Sequence, residues 1–90
     1  MKVRNHYRFT GQVQGVGFRY RARNLSGALG LTGWVKNEWD GSVTMELQGE
    51  EVLIDRVLHG LSFDSYIRID DIEKSSLPLD EEERSFVVRH

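Results

Sequence analysis

The segment Gly11-Gln-Val-Gln-Gly-Val-Gly-Phe-Arg19 runs from a predicted strand through a turn with two glycines into a predicted helix. Gly15 and Gly17 permit positive φ and let a ligand approach the backbone closely. Successive N–H groups of such a turn can converge beside the positive end of the helix dipole and bind an anion. Arg19 adds a planar cationic fork for phosphate oxygens. Short glycine patterns are common, so a tight connection without any ligand also fits these residues.

Both flanks of this turn have a clear periodicity. Polar and apolar side chains alternate from His6 to Val13, with Tyr7 and Phe9 on the same face as Val13, which is typical of a half-buried strand. Apolar side chains then recur at helical spacing, at Phe18, Ala22, Leu25 and Leu29. Gly30 follows as a left-handed cap of that helix. The glycine turn therefore joins the first strand to the first helix.

The next residues have the pattern of a β-hairpin. Thr32–Lys36 is predicted to be a strand that ends at Asn37, and Asp40-Gly41 supplies the positive φ that a hairpin turn needs. The strand after the turn points three apolar side chains inward and the side chains between them outward. The inward side chains are those of Val43, Met45 and Leu47.

The second half of the chain predicts one more helix and two more strands. Glu50 and Glu51 suit a helix N-terminus, and an apolar stripe follows, formed by Leu53, Ile54, Val57, Leu58 and Leu61. Tyr66–Ile72 and Phe86–Arg89 are predicted strands. The acidic run within residues 75–83, between these strands, is predicted to be a solvated loop.

The resulting order is β-α-β-β-α-β with a short extra strand at the end. This order indicates one α+β domain over residues 1–90, a ferredoxin-like sandwich in which two helices cover one face of a mostly antiparallel sheet. The other face is expected to stay comparatively open, lined by residues such as Arg8, Thr10 and Trp34.

Composition excludes several kinds of site. The 90 residues include no cysteine, which rules out disulfides, thiolate nucleophiles and cysteine-based metal sites. The apolar runs are too short for a signal-peptide core or a membrane span. We therefore expect a protein of the cytoplasm that does not act at a membrane.

The net charge of −2 conceals an uneven distribution. Residues 1–37 contain seven lysines and arginines and no acid, whereas all 14 acids lie in residues 38–90 with five basic residues. A positive field around the glycine turn would attract a small anion. The acidic second half would repel a long polyanion, which argues against nucleic acid as the partner.

Three segments together closely resemble the acylphosphatase family. They are Gly11–Arg19, Leu29-Gly-Leu-Thr-Gly-Trp-Val-Lys-Asn37 and Asp40-Gly-Ser-Val43. The resemblance is dense over residues 7–49 and looser beyond them. It implies the ferredoxin-like fold and a hydrolase that converts acyl phosphates to a carboxylate and inorganic phosphate.

The resemblance also implies roles for individual residues. Arg19 would bind the phosphoryl group, and Asn37 would hold the attacking water. The phosphate-binding loop would consist of Gln14, Gly15, Val16, Gly17, Phe18 and Arg19. No metal or cofactor is implied, because an acyl phosphate has a good leaving group and needs only charge stabilisation and a positioned water. A monomer acting on a small molecule is expected.

Some residues depart from the family pattern or have no role in it. Gly60-Leu-Ser-Phe63 lacks the proline that commonly follows the second helix, so the path into the next strand is not given by the resemblance. No obvious general base accompanies Arg19 and Asn37. His6, His59 and His90 are expected at surface or structural positions, and the bound phosphate itself would take the proton.

Two other functions remain open at this point. A non-catalytic ferredoxin-like module could use the same loop only to bind an anion, although it would have little use for a water-holding amide at Asn37. A single-stranded nucleic-acid binder could use the open sheet face, with Arg8, Arg21 and Trp34. It would need exposed aromatic rings for base stacking, whereas Tyr7 and Phe9 are assigned to the core.

Overall fold

Two helices and five strands make up the computed structural model, which describes residues 1–90. In chain order the elements are β1 (Lys2–Gln12), α1 (Phe18–Ala28), β2 (Thr32–Asn37), β3 (Val43–Glu50), α2 (Glu51–Ser62), β4 (Arg68–Leu77) and β5 (Phe86–Arg89). Neither helix has the length and apolar character that crossing a membrane requires.

All five strands belong to one sheet in the order β4-β1-β3-β2-β5. Every neighbouring pair is antiparallel except β2 and β5, which run parallel with Lys36 opposite Arg89. Both helices contribute to a single core against one face of this sheet. The architecture confirms the ferredoxin-like α+β sandwich, and the extra strand lies at the edge beside β2.

The core contains the apolar faces that the periodicity predicts. Its sheet side includes Tyr7, Phe9, Val35, Val43, Met45 and Leu47, and its helix side includes Phe18, Ala22, Ile54, Val57 and Leu61. The rings of Phe9 and Phe18 lie with centroids 5.0 Å apart. This contact ties β1 to the first residue of α1 and so fixes both ends of the glycine turn.

Gly30 and Gly41, predicted to end α1 and to form the hairpin turn, have the expected positive φ. Gly30 has φ 72° and closes α1, with its N–H donating to the Gly27 carbonyl and the Leu31 N–H donating to the Ser26 carbonyl. This pair of bonds is the Schellman arrangement. Gly41 has φ 92° in the turn between β2 and β3.

The predicted limits of two strands are wrong. β1 begins at Lys2 rather than His6, and β4 covers Arg68–Leu77 rather than Tyr66–Ile72. Ser75 and Ser76, predicted as loop, therefore pair with β1. β4 is an edge strand with mostly exposed side chains. Its position is set by backbone pairing with β1. Its exposed side chains show no apolar alternation from which the sequence could predict its limits.

The expectation of an open second sheet face is also wrong in part. β4 and β5 lie at opposite edges, so residues 78–85 cross the face that the helices leave uncovered. Arg4 donates to Glu83 in this crossing segment at 2.7 Å and to Glu46 of β3 at 2.9 Å. Gln48 exchanges hydrogen bonds with the Asp80 backbone. Although exposed in part, the acidic run is therefore anchored to the sheet.

We expect Gly33→Ala to destabilise the protein strongly. Gly33 has φ 143°, and a Cβ there would collide with the Glu46 carbonyl on β3. Backbone strain of this kind costs about 1–3 kcal/mol, and the collision adds to it. The free energy of unfolding in urea measures the effect.

The matched substitution is Gly27→Ala, within α1, where a Cβ meets no neighbouring atom within 4 Å. It should stabilise the fold by up to about 1 kcal/mol, because alanine has the higher helix propensity. Equal unfolding free energies for the two variants would contradict the position assigned to Gly33.

The ion pairs on the crossed sheet face predict sensitivity to acid. Burial works to raise the pKa of Glu46, but hydrogen bonds from His6 and Arg4 outweigh it and hold that pKa below its usual value. The stabilisation by Glu46 is therefore complete above its unfolded pKa of about 4.3 and is lost as the pH falls below it.

Thermal unfolding between about pH 7 and pH 3 measures this effect. Glu46→Gln should lower Tm at pH 7 and should flatten the fall of Tm in acid. Glu82→Gln removes the same charge from an exposed side chain that forms no ion pair, so Tm at pH 7 should stay close to that of the wild type. An unchanged acid dependence in Glu46→Gln would be inconsistent with the ion pairs.

Candidate functional site

A small pocket of about 130 Å³ opens where β1 and β2 end and α1 begins. It is lined by Val13, Gly15, Gly17, Phe18, Arg19, Tyr20 and Asn37. The structure thus brings the two turn glycines, Arg19 and Asn37 together, although Asn37 lies 18 positions beyond Arg19 in the chain. Of the predicted loop, the side chains of Gln14 and Val16 lie outside the lining.

The backbone of the turn presents a row of free hydrogen-bond donors. Gly15 and Gly17 have φ 72° and 80°, and Gly17 is the N-cap of α1 without a side-chain cap. The N–H groups of residues 15–20 donate to no acceptor within the protein. No acidic side chain lies in the first turn of α1. The positive end of the helix dipole is therefore available to an anion.

The guanidinium of Arg19 is held by the end of β5. Its Nη1 donates to the Arg89 carbonyl at 3.2 Å and lies 3.1 Å from Nδ1 of His90. Arg19 forms no ion pair with any carboxylate of the chain. Its charge is therefore not neutralised, and its other donors are free for a ligand.

Asn37 supplies the amide of the pocket. It is the last residue of β2, paired with Val43 across the hairpin, and its side chain is half-buried. This side chain makes no hydrogen bond within the protein. An amide both donates and accepts, so Asn37 can orient a small polar molecule such as water without taking its proton.

Gln14 anchors the loop to the β2–β3 hairpin. Its Nε2 donates to the carbonyls of Glu38 and Ser42 at 2.7 and 2.8 Å. The loop that carries the free N–H groups is thereby fixed to the segment that follows Asn37. Val16 packs its side chain against the core instead.

The hairpin is itself held in place by a cluster of charges. Arg8 donates to Asp40 at 2.8 Å and to Glu73 of β4 at 2.9 Å. Asp40 also accepts from the Ser42 hydroxyl and N–H. The hydrogen bonds from Ser42, followed by that from Arg8, hold the pKa of Asp40 well below its usual value. Asp40 is therefore ionised at neutral pH, and its hydrogen bonds link the turn beyond Asn37 to β1.

These contacts remove the surface that a nucleic-acid binder would need. Arg8 is paired with two carboxylates, and Arg21 lies on the helix side, where it donates to the Gly60 carbonyl. Tyr7 and Phe9 are buried. The remaining aromatic ring of that face, Trp34, already packs against the guanidinium of Arg89, 4.6 Å from its centroid, and against the ring of His6. The run of open rings that base stacking uses is therefore missing.

Sequence reasoning missed several contacts at this site. Nothing in the sequence indicated that Arg89 and His90 would lie against Arg19, because the parallel pairing of β5 with β2 has no local signature. His90 is exposed, as expected, but it contacts a predicted site residue. No cluster of three or more His, Asp or Glu side chains has the geometry of a metal site.

Comparison with known proteins gives a consistent set of matches. The sequence profile of the acylphosphatase family matches residues 5–88. An acylphosphatase of Clostridium acetobutylicum is 39% identical over 87% of each chain, and one of Oceanobacillus iheyensis is 40% identical over 89% of this chain and 90% of that protein. The crystal structure of acylphosphatase from Bacillus subtilis superposes over the full length of both chains with a TM-score of 0.89 and 27% identity.

The two bonds of Gln14 predict that its amide supports anion binding. Gln14→Glu replaces their donor by a carboxylate that faces two carbonyls, so the loop should shift away from the hairpin. We expect the Kd for inorganic phosphate, measured by calorimetry, to rise by about tenfold or more, since each lost hydrogen bond is worth about 1 kcal/mol.

Gln12→Glu is the matched control, because it adds the same charge at an exposed position at the end of β1. Its effect on the phosphate Kd should stay below about twofold, since an exposed charge is well screened. If both variants weaken phosphate binding equally, the added negative charge alone explains the loss, and Gln14 has no anchoring role.

Proposed function

Because the chain belongs to the acylphosphatase family, we propose that it hydrolyses acyl phosphates in the pocket between residues 14–19 and Asn37. One observation carries this proposal: the free N–H groups of residues 15–20, the unpaired charge of Arg19 and the free amide of Asn37 surround one small pocket. A phosphate binder without activity would need only the first two of these features. The third favours a hydrolase over a non-catalytic anion-binding module.

The N–H groups and Arg19 would bind the phosphoryl group. The row of donors at the start of α1 faces the oxygens on which negative charge resides as the bond to the acyl group breaks. Arg19 can offer two parallel donors to these oxygens while Nη1 keeps its bond to the Arg89 carbonyl. The donors are fixed before substrate arrives, so little reorganisation opposes the reaction.

Asn37 would position the nucleophile. A water held by its amide attacks phosphorus, the new bond forms from the water oxygen, and the bond from phosphorus to the acyl oxygen breaks. The carboxylate leaves with the electron pair of that bond. The water proton passes to an oxygen of the bound phosphate, because the pocket lining contains no His, Asp or Glu side chain.

The proposal requires neither a metal nor a cofactor. The carboxylate is a good leaving group at neutral pH, so placement of the water and stabilisation of the phosphoryl charge supply the catalysis. The residues 15–20 and Asn37 that the mechanism uses all lie in this chain, so the site needs no second copy. We propose a monomer that takes a small acyl phosphate and releases inorganic phosphate. The lack of cysteine suits the reducing cytoplasm.

Substitutions at the two key residues should have different kinetic effects. Asn37→Ala should lower kcat for benzoyl phosphate by about 10² to 10³ and leave KM nearly unchanged, because one preorganised group is lost from the transition state. Arg19→Ala should lower kcat and raise KM, since Arg19 contacts the phosphoryl group in both states. Hydrolysis is measured with a chelator present.

Asn24→Ala serves as the control, since Asn24 is exposed on α1 outside the pocket. It should retain wild-type kinetics. Turnover in Asn37→Ala at the wild-type rate would contradict the proposed role of Asn37. A folded wild-type protein that binds phosphate but hydrolyses no acyl phosphate would instead be the non-catalytic module.

A further inference from the structure

Tyr20 and Arg23 form a pair at the rim of the pocket. Tyr20 follows Arg19 in α1, lines the pocket and is 51% exposed. The guanidinium carbon of Arg23 lies over its ring, 5.1 Å from the centroid. The two residues are three positions apart, so the helix places them on the same face.

The charge of Arg23 has no carboxylate partner within the protein. Arg23 is exposed and forms no ion pair, whereas Arg21 between the two residues donates to the Gly60 carbonyl and lies 3.8 Å from Asp64. A guanidinium that lies over an aromatic ring keeps the donors at its edge free. Arg23 is therefore oriented by Tyr20 and remains able to bind a carboxylate or phosphate with two donors.

We propose that Tyr20 and Arg23 form the subsite for the acyl group and select acyl phosphates whose acyl group carries a second negative charge. This inference rests on the proposed function. With the phosphoryl group on residues 15–19 and the water at Asn37 on β2, an in-line reaction sends the leaving carboxylate to the side of the phosphorus opposite Asn37. Phe18 and Tyr20 are the aromatic residues of α1 in the lining. Phe18 is 1% exposed, whereas Tyr20 is 51% exposed and can contact an acyl group.

The distances along α1 set the size of the acyl group. Residues three apart rise by roughly 4.5 Å along a helix. An acyl group that extends past the ring of Tyr20 by the length of a benzene ring would bring a terminal anion to Arg23. Acetyl phosphate carries no second anion and would gain nothing from Arg23.

Two substrates with the same reacting bond test the selection. Benzoyl phosphate and 4-carboxybenzoyl phosphate differ only in the para carboxylate, which lies too far from the acyl carbon to react with it. The quantity of interest is the ratio of kcat/KM for the charged substrate to that for the neutral one. Arg23→Gln should lower this ratio by about two- to fivefold, within the upper part of the range for an exposed ion pair.

Arg56→Gln is the matched control, because Arg56 is an exposed arginine without an ion pair on α2. It should leave the ratio at its wild-type value. Tyr20→Leu should lower the ratio as well, since Arg23 loses the ring that orients it. Raising the ionic strength should lower the ratio in the wild type but not in Arg23→Gln.

An unchanged ratio in Arg23→Gln, or an equal fall in Arg56→Gln, would overturn the subsite. Either result leaves the proposed hydrolysis itself intact. If the wild type hydrolyses neither substrate, the proposed function fails first, and the two failures are therefore distinguishable.

Discussion

Burial of Phe18 beneath β1 is the constraint on which the site depends. Phe18 is 1% exposed and packs against Phe9, so α1 has to begin at that residue. The strand before it ends at Gln12, and the five residues in between must reverse the chain with positive φ at Gly15 and Gly17. The helix consequently starts without a cap, and its free N–H groups face the pocket.

The segment that carries the free donors and the unpaired arginine is anchored to the rest of the fold at a few points. Gln14 fixes the loop to the β2–β3 hairpin, and the Arg89 carbonyl holds Arg19. Both anchors come from segments beside β2, the strand that carries Asn37. The pocket is therefore held together by elements that are distant in the chain but neighbours in the sheet. Such preorganisation is what stabilisation of a phosphoryl group requires.

Local patterns were sufficient to predict much of this structure. The apolar spacing of α1, the glycine turn before it and the Asp40-Gly41 hairpin depend on residues close in sequence, and the structure has each of them. The prediction that Arg19 and Asn37 share one site came from the family resemblance. Neither residue alone indicates that the two are close in space.

The missed features are all non-local. The extent of β4 depends on pairing with β1, and the path of residues 78–85 depends on the two edge positions of β4 and β5. Gln14 and Arg19 donate to backbone carbonyls, which any residue type provides, and the contact of Arg19 with the His90 side chain depends on the non-local position of β5. No side-chain pattern could therefore have identified them.

Amide resonances of 15N-labelled protein during a titration with inorganic phosphate test the central claim most directly. We expect the backbone amides of residues 15–20 to shift most and to saturate together, because they lack acceptors in the free protein. Residues 51–54 begin α2, which also lacks a side-chain cap, and should shift little. Equal shifts at both helix N-termini, or none at residues 15–20, would contradict a phosphate site built by this turn.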